Sequence, residues 1–421
     1  MITIHPFKAL RPAAELAKQV ASRPYDVLNS KEAKTEAQGN NVSFLHITKS
    51  EIDLPDNIDI HSQQVYDKAK ENLDAFISRK ILFRESKACY YIYELVMPAR
   101  AGSDGNGKSQ TGLVCGSSVD DYENDRIKKH EFTRPEKEQD RINHIKTTGA
   151  QTGNVFLAYR NVDEVDAIIN TWKKKSPVYN FTAEDNIQHT IWIVNDDETI
   201  EQITNLFKEK VPCTYIADGH HRAASAAKVR VALGRKATDG ADIFLTTLFP
   251  SSQLHIMDYN RVVKDLNGFG EEKFLDRIKT NFSVEKISDA LSPAALHEFG
   301  MYLNQQWYKL TAKENTFGND PIAVLDISIL SNNLLDPILN IKDQRTDKRI
   351  DFIGGIRGLS ELEKRVDSGE MAVAFSLHPV SIQQLFDIAD SGNVMPPKST
   401  WFEPKLRDGL LTHLITDSIG D

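Results

Sequence analysis

Cysteine is scarce in this sequence, and metal-binding motifs built on cysteine or histidine are missing. The three cysteines, Cys89, Cys115 and Cys213, are far apart and do not have metal-ligand spacing. A sparse, odd-numbered set is typical of buried thiols in a reducing compartment and not of a disulfide framework. No Cys-x-x-Cys or His-Glu-x-x-His motif occurs, so the sequence does not predict a structural zinc site.

Long apolar runs are also missing. The stretch 322–330 is one of the most apolar, but Asp326 interrupts it and it is too short to cross a bilayer. The first residues lack the charged and then apolar pattern of a signal peptide. The formal net charge of −9 argues against binding nucleic acid or an anionic membrane through overall charge. We therefore expect a cytoplasmic protein with small-molecule ligands and with neither nucleic acid nor membrane as a partner.

The composition is that of an ordinary globular protein, with 40% hydrophobic and 26% charged residues. A chain of 421 residues is long for one hydrophobic core. We expect three lobes, at residues 1–120, 121–290 and 291–421, although one family domain spanning all three is an open alternative. No internal repeat or low-complexity tract marks the boundaries.

Alternating strand and helix patterns predict an α/β fold with mixed or parallel sheets. The predicted strands are 43–47, 88–96, 113–119, 155–159, 189–194, 214–217, 307–311, 323–327, 349–353, 372–376 and 410–414. The predicted helices are 13–21, 30–38, 61–79, 162–171, 199–207, 221–233, 359–366 and 380–389, and one that begins near residue 134.

The most informative segment is a predicted strand–helix turn, Asp218-Gly219-His220-His221-Arg222. A strand that turns sharply into a helix leaves backbone N–H groups unpaired at the positive end of the helix dipole, which suits an anion. Gly219 allows an oxyanion to approach the backbone, Asp218 can cap the helix, and Arg222 offers a planar fork for phosphate. His220 and His221 can donate hydrogen bonds or act as acid and base.

A second phosphate-binding pattern, Gly-x4-Gly-Lys-Ser, is formed by Gly102, Gly107, Lys108 and Ser109. This pattern has a mechanism only where the lysine and serine begin a helix after a buried strand. Here the residues that follow have the pattern of a strand. We therefore predict a flexible loop over 101–112 that joins two strands of a hairpin, and we reject a P-loop.

A charged segment before the strand–helix turn is a further candidate. Thr133 and Glu136 have the spacing of a capping box, which predicts that a helix begins near Arg134. Four polar residues of this helix would share one face because they are three or four positions apart: Lys137, Asp140, Arg141 and His144. A solvated helix with alternating charges is the alternative interpretation.

The segment Ala-Asp-Gly-His-His-Arg resembles the phosphate-binding turn of the ParB/sulfiredoxin-like superfamily. The chain as a whole resembles a bacterial and archaeal family of unknown-function proteins that is related to free-serine kinases, including pyrophosphate-dependent ones. The segments that carry this resemblance are spread over almost the whole chain: 22–27, 128–133, 137–141, 217–222 and 395–400. It implies an α/β fold with a ParB/sulfiredoxin-like phosphate-binding core.

The resemblance implies a kinase that phosphorylates a small hydroxyl metabolite, with free L-serine as the leading candidate and Mg²⁺ as the metal. The implied phosphate-binding residues are Lys128, Lys129, His130, Lys137, Arg141, Asp218, Gly219, His220, His221 and Arg222. The implied substrate-binding residues are Arg23, Tyr25, Lys398, Ser399 and Thr400. The implied catalytic residues are Asp26, Glu131, His220 and His221, and the implied metal contacts are Glu131 and Asp140.

Several alternatives stay open at this point. The general base is Glu131 or Asp26, with Asp218 and Asp140 as secondary candidates, and the donor is pyrophosphate, ADP or ATP. One alternative function is a metal-dependent phosphoester hydrolase, with ligands from His130, His144, His220 and His221. Another is a ParB-like switch that binds a nucleotide without turnover. The sequence does not predict the oligomeric state.

Overall fold

The computed structural model describes residues 1–98, 108–234 and 239–416. The strands are β1 (Ile4–His5), β2 (Leu10–Pro12), β3 (Leu82–Arg84), β4 (Tyr90–Met97), β5 (Lys108–Ser118), β6 (Ile127–Lys128), β7 (Ala150–Gln151), β8 (Val155–Tyr159), β9 (Tyr179–Thr182), β10 (Gln188–Val194), β11 (Thr214–Asp218), β12 (Ile243–Pro250), β13 (Ile256–Met257), β14 (Tyr259–Val263), β15 (Phe282–Ile287), β16 (Glu298–Leu303), β17 (Gln306–Ala312), β18 (Ile350–Gly354), β19 (Val373–Leu377), β20 (Trp401–Phe402) and β21 (His413–Leu414).

The α-helices are α1 (Ala17–Val20), α2 (Ser30–Glu36), α3 (Leu45–Thr48), α4 (Gln63–Ser78), α5 (Val119–Glu123), α6 (Pro135–Thr148), α7 (Asp163–Trp172), α8 (Asp197–Lys210), α9 (His220–Leu233), α10 (Glu271–Ile278), α11 (Asp326–Leu330), α12 (Leu359–Asp367) and α13 (Ile382–Asp390). Short 3-10 helices are Ala14–Leu16, Tyr25–Val27, Ser50–Asp53, Asp239–Asp242, Ser251–Gln253, Glu314–Thr316 and Gly355–Arg357, and Ser331–Leu335 is a π-helix. In the part of the chain that the structure describes, no helix has both the length and the apolar character that a membrane crossing requires.

The chain divides into two compact units. Unit 1 contains Met1–Leu254 together with Pro404–Asp421, and unit 2 contains His255–Glu403. The chain therefore leaves unit 1, forms unit 2, and returns to unit 1 with a C-terminal segment.

Unit 1 is built on a sheet of nine described strands in the order β6-β11-β8-β12-β5-β4-β10-β9, with β1 also paired to β5. β11 is parallel to β6 and β12 is parallel to β8, whereas β4, β5, β9 and β10 pair antiparallel. The predicted mixed α/β sheet is thus confirmed. The predicted boundary between residues 120 and 121 is not a domain boundary, because strands from both sides of it are hydrogen-bonded within this one sheet.

The core of unit 1 lies on both sides of this sheet. All five residues of β8 are buried, which is typical of a strand covered by other elements on both faces. Helix α6 packs against both α9 and α4. These three helices and the ends of β11 and β8 position the residues of the candidate site.

Unit 2 contains a six-stranded antiparallel sheet in the order β15-β17-β16-β19-β14-β18. Helix α12 packs on β19, and its Leu362 is buried in a cluster with Val262, Ile353 and Ala374. The predicted boundary between residues 290 and 291 is not a domain boundary either, because β15 before it pairs with β17 after it.

Two predicted strands are wrong. Residues 43–47 lead into helix α3, because the Ser43 hydroxyl accepts the Leu45 N–H and so starts a local turn. Residues 323–327 form a turn that leads into α11, and Asp320 Oδ1 starts it by accepting the N–H of Ala323. Both segments are short apolar runs, for which periodicity does not separate helix from strand.

The predicted hairpin is confirmed, since β4 and β5 pair antiparallel. Lys108 and Ser109 begin a strand and not a helix, so the rejection of a P-loop is confirmed as well. Gly102 and Gly107 lie outside the described residues. The predicted loop is too long, because its last five residues, 108–112, belong to β5.

Candidate active site

The strand–helix turn forms where β11 ends and α9 begins. The pairing of β11 with β8 is irregular between Ile216 and Asp218, and Gly219 follows with a φ of +99° as the N-cap of α9. Glycine fits this left-handed backbone without the steric cost of a Cβ. No side chain caps the helix, so the prediction that Asp218 caps it is wrong. The N–H groups of the first turn have no intrahelical partner and point outward from the helix.

Asp218 forms ion pairs instead. Its Oδ2 lies 3.1 Å from Lys405 Nζ, and its Oδ1 lies 3.4 Å from an Arg222 nitrogen. Burial would raise the pKa of Asp218, but Lys405 and Arg222 outweigh it and hold this pKa well below its usual value. Asp218 is therefore a permanent anion that orients two cations.

Arg222 is the central cation of the turn. Its side chain is 10% exposed, donates to the carbonyl of Asn154, and lies 3.5 Å from Asp26 Oδ2. Burial would lower the pKa of Arg222, but the carboxylates of Asp26 and Asp218 outweigh this effect and raise the pKa above its ordinary value. Within the described residues, the buried Nε has no hydrogen-bond partner. An unpaired buried donor is costly, so a ligand acceptor here would be stabilising.

Three histidines meet at this turn and are all held in the neutral form. The rings of His130 and His220 pack edge to face with centroids 4.5 Å apart. Burial lowers the pKa of His130 to about 4 and lowers those of His220 and His221 as well. His130 Nδ1 is buried and has no hydrogen-bond partner among the described residues.

The backbone fixes the tautomers of two of these histidines. His220 Nε2 accepts the His130 N–H at 3.4 Å, and His221 Nε2 accepts the Arg134 N–H at 2.9 Å. A neutral imidazole that accepts at Nε2 carries its proton on Nδ1. Both histidines are therefore arranged to donate through Nδ1, which suits hydrogen bonding to phosphate better than proton abstraction.

We expect Gly219→Ala to destabilise the protein and to weaken anion binding together. A Cβ at this φ is strained, and it would lie 3.1 Å from Arg222 Nε and 3.3 Å from Val155 Cα. The strain predicts a loss of about 1–3 kcal/mol in the free energy of unfolding, measured by urea denaturation. Gly39→Ala is the control, because Gly39 also has a positive φ but no described atom lies within 4 Å of its Cβ position. Unchanged anion affinity in Gly219→Ala would contradict a ligand at this backbone.

A cavity of about 320 Å³ lies in unit 1 beside the turn. Its wall includes the predicted polar face of α6, since Lys137, Asp140, Arg141 and His144 all line it. The prediction that these four side chains share one face is therefore confirmed. The other lining residues are Tyr25, Asp26, Leu28, Thr48, Lys49, Ser50, Glu51, Ile60, His61, Val65, Tyr66, Glu136 and His221.

The cavity wall carries charges of both signs, held in pairs. Arg141 is buried, its guanidinium lies 4.0 Å from the Tyr25 ring centre, and its Nε donates to Asp140 Oδ2 at 2.8 Å. Burial would raise the pKa of Asp140, but Arg141 outweighs it and lowers this pKa. A second pair on the wall is formed by Lys49 and Glu51, with Lys49 Nζ 2.9 Å from Glu51 Oε1.

Two residues join the cavity to the strand–helix turn. Asp26 lines the cavity and faces Arg222, while His221 belongs to the turn and also lines the cavity. Burial of Arg222 and its contact with Asn154 hold the guanidinium at this junction. A ligand in the cavity can therefore reach the turn at Asp26.

The charged segment before α6 is positioned differently from the prediction. Lys128 pairs with Asp125 at 2.9 Å, and Lys129 lies 4.3 Å from the Tyr122 ring centre. The Glu131 side chain is 51% exposed and lies 4.0 Å from His220 Nδ1. Neither lysine lines the cavity, so their predicted phosphate-binding role remains a prediction.

The predicted capping box before α6 is wrong. The N-cap is Arg134, whose side chain makes no capping hydrogen bond, and the Thr133 hydroxyl donates to the carboxylate of Glu138 instead. Arg23 is paired with Glu36 at 2.6 Å on the surface, not with a cavity residue.

Lys398, Ser399 and Thr400 belong to unit 2. There the Lys398 carbonyl accepts from Arg261, and the Ser399 hydroxyl donates to the Pro396 carbonyl. These contacts hold a loop, and the predicted substrate-binding role of the three residues remains a prediction.

The two predicted metal contacts have different surroundings. Asp140 accepts from Arg141, from the Tyr66 hydroxyl at 2.9 Å and from His61 at 3.2 Å, so its oxygens are occupied. Across the three described stretches of chain, no group of three or more His, Cys, Asp or Glu side chains is arranged to hold a metal. A Mg²⁺ ion needs only one or two protein carboxylates when substrate phosphates supply the other oxygens, so the predicted contact with Glu131 remains a prediction.

Several residues that line this site have no signal in the sequence. The segment 48–51 follows the wrongly predicted strand 43–47 and has no motif of its own, and His61 and Tyr66 lie in the predicted helix 61–79 without a further signal. Lys405 ends a polar, proline-containing loop of a kind that often shapes sites, but nothing local indicates that it pairs with Asp218, and Asp408 has no local pattern that indicates a site. Only their contacts across the fold reveal them.

Comparison with known proteins identifies the family. The family model described as "Protein of unknown function (DUF1015)" matches residues 4–328. The chain belongs to this family. The predicted resemblance to a family of unknown-function proteins is thus confirmed, and the match includes most of unit 1 and part of unit 2.

Three of the solved structures that match this chain are each only weakly similar to it. A free serine kinase in complex with AMP has a TM-score of 0.36 and 12% identity, over 75% of this chain and 94% of that chain. SbnI with C-terminal truncation from Staphylococcus aureus has a TM-score of 0.38 and 11% identity, over 72% and 90%. A conserved hypothetical protein from Pyrococcus furiosus has a TM-score of 0.35 and 13% identity, over 72% and 95%. Comparison with curated protein sequences gave no significant match.

Proposed function

We propose that this chain transfers a phosphoryl group from a small phosphate donor to the hydroxyl of a small metabolite, with free L-serine as the first acceptor to test. The observation that carries the proposal is the junction between the strand–helix turn and the cavity. Asp26 belongs to both, with its carboxylate 3.5 Å from Arg222 and its side chain on the cavity wall.

The turn supplies what a donor phosphate requires. Unpaired N–H groups at the start of α9 and the unpaired Nε of Arg222 are preorganised donors for oxyanion oxygens. His220 and His221 add neutral donors through Nδ1. Such donors cost no reorganisation when charge develops on the transferred group.

Asp26 is the favoured general base because it lies where the acceptor hydroxyl would meet the donor phosphate. In the proposed step the hydroxyl oxygen forms a bond to phosphorus and the bond to the leaving phosphate breaks. The hydroxyl proton passes to the Asp26 carboxylate, and the leaving group takes the negative charge. Glu131 is the alternative base, but it does not line the cavity.

The cavity wall supports an acceptor that carries both charges of an amino acid. The pairs Lys49–Glu51 and Arg141–Asp140 place cations and anions on the wall. The carboxylate of serine could interact with Lys49 or Arg141, and its ammonium group with Glu51 or Asp140. Lys137, which also lines the cavity, would offset charge on the remainder of the donor.

Magnesium is proposed as the metal, held by oxygens of the donor and by Glu131. When bound, it would neutralise part of the charge on the donor phosphates. Asp140, the second predicted contact, accepts hydrogen bonds from Arg141, Tyr66 and His61.

The test is to incubate the protein with L-serine, Mg²⁺ and, in separate reactions, pyrophosphate, ADP or ATP, and to detect O-phosphoserine by mass spectrometry. We expect product with at least one donor. Lys108→Ala should leave the rate unchanged, because Lys108 is an exposed residue at the start of β5 and not part of a P-loop. Absence of phosphoserine with all three donors would remove the serine-kinase proposal.

The two other candidate functions are separated by the same reactions. A hydrolase would release inorganic phosphate from an ester without an acceptor, but the described residues offer no three-ligand metal cluster to support it. A nucleotide-binding switch would bind ADP or ATP tightly and give no product. Neither has an observation in its favour beyond those that support the kinase.

A further inference from the structure

The C-terminal segment that returns to unit 1 brings two charged side chains to the strand–helix turn. Lys405 Nζ lies 3.1 Å from Asp218 Oδ2. Asp408 exchanges two backbone hydrogen bonds with Ser22, at 3.0 and 3.1 Å, and these fix its position. The family model ends at residue 328, so neither Lys405 nor Asp408 lies in the matched part of the chain.

Asp408 and Arg222 both lie close to Gly153, which has no side chain to fill the space near them. A Cβ at Gly153 would be 3.3 Å from Arg222 Cδ and 3.4 Å from Asp408 Oδ1. Asp408 is 2% exposed, and its Oδ2 has no hydrogen-bond partner among the described residues. Asp408 and Arg222 interact electrostatically, and each has a buried polar atom without a partner among the described residues. This combination indicates a site that is incomplete without a ligand or a proton.

The charged groups that face Asp408 come from three elements: Arg222 on α9, Arg141 on α6, and Asp26 on the Tyr25–Val27 turn. Burial raises the pKa of Asp408 to about 7, although Arg222 opposes this effect. The carboxyl group therefore changes its charge close to neutral pH. His130 and His220 of the strand–helix turn stay neutral there, because burial holds their pKa values below 6.5.

We propose that the C-terminal segment completes the anion site: Lys405 neutralises Asp218, and the proton on Asp408 controls how much of the Arg222 charge reaches an incoming oxyanion. This inference rests on the proposed function, since it concerns the site that would hold the donor phosphate. An ionised Asp408 competes with the ligand for the guanidinium and repels an anion. A protonated Asp408 does neither.

Anion affinity should fall as the pH rises through the pKa of Asp408. Below the pKa of Asp408 the carboxyl group is protonated and the anion binds at full affinity. Above it, binding requires uptake of one proton from solvent, so the affinity falls as the pH rises. Linkage of one proton gives a loss of about tenfold in affinity per pH unit above that pKa.

Sulfate is the probe, because its charge does not change between pH 6 and pH 8.5. Calorimetric titration of the full chain with sodium sulfate, in two buffers of different ionisation enthalpy, measures affinity and proton uptake together. For the unmodified protein we expect affinity to fall with rising pH and uptake to approach one proton per sulfate at pH 8.5. Absence of saturable sulfate binding, or binding without proton uptake, would overturn the inference.

Asp408→Asn keeps the shape of the side chain and removes its titration. We expect its sulfate affinity to be nearly independent of pH and at pH 8.5 to exceed that of the unmodified protein by about tenfold or more. A pH dependence equal to that of the unmodified protein would overturn the role of Asp408.

Lys405→Ala should weaken sulfate binding at every pH. Without Lys405, the Asp218 carboxylate would interact more strongly with the Arg222 guanidinium and compete with sulfate for it. Asp185→Asn is the matched control, because it removes the partner of Arg407 in the same C-terminal segment without touching the turn. An equal loss of affinity in Asp185→Asn would overturn the role of Lys405 and indicate general loosening of the segment.

The two proposals fail in distinguishable ways. If sulfate binding takes up a proton through Asp408 but no phosphoserine is formed, the anion site stands and the serine-kinase proposal falls. If phosphoserine is formed and Asp408→Asn leaves the pH dependence of sulfate binding unchanged, only the present inference falls.

Discussion

Replacement of Asp26 by asparagine should lower the kcat for phosphoryl transfer by about 10²- to 10⁴-fold, the usual contribution of a general base. Asparagine has the same size as aspartate but cannot accept the hydroxyl proton as a carboxylate does. The side chain is 33% exposed and its contact with Arg222 is long, at 3.5 Å, so the fold should be retained. The loss should appear in kcat and not as a higher KM for the donor, because removal of a negative charge beside Arg222 does not weaken anion binding.

Glu131→Gln is the matched variant, since Glu131 is the other candidate for the base. Its side chain is 51% exposed and lies outside the cavity wall, so we expect a smaller loss. If Glu131 instead contacts Mg²⁺, the loss in Glu131→Gln should be reduced by raising the Mg²⁺ concentration, whereas the loss in Asp26→Asn should not. A larger fall in kcat for Glu131→Gln at saturating Mg²⁺ would identify Glu131 as the base.

The local part of this site was predictable from the sequence. A glycine between a buried strand and an Ala-rich segment is enough to predict a strand–helix turn, because backbone geometry at Gly219 depends on a few adjacent residues. The polar face of α6 was predictable for the same reason, since residues three or four apart on a helix share a face. The mixed sheet followed from strand and helix alternation.

The parts that depend on long-range contacts were not predictable. Whether Asp26 faces Arg222 depends on how the Tyr25–Val27 turn packs against α9, and no pattern within either segment fixes that. Asp218 is a second example. Its position before a helix predicts a capping role, but the Asp218 carboxylate pairs with Lys405, which is distant in the sequence. The predicted lobes were wrong for a similar reason: the chain leaves unit 1 and later returns, which composition does not reveal.

Arg222 is the residue whose loss should most impair use of the phosphate donor. Arg222→Lys keeps the positive charge but loses the planar fork and its unpaired Nε. Loss of a hydrogen bond to a charged group is worth about 1.5–3 kcal/mol, which predicts a fall of about 10- to 150-fold in kcat/KM for the donor. The measurement is steady-state kinetics with the donor varied at saturating L-serine.

Arg222→Ala should have a larger effect on activity and should also lower the free energy of unfolding by about 1–3 kcal/mol, because the Asn154 carbonyl and the Asp218 carboxylate lose a buried partner. Arg222→Lys therefore separates the kinetic role from the structural one, provided that its urea midpoint stays close to that of the unmodified protein. The Lys108→Ala variant again serves as the control for a cation outside the site. If Lys108→Ala loses activity while Arg222→Lys keeps it, the donor phosphate is bound elsewhere, and the role assigned to the strand–helix turn is wrong.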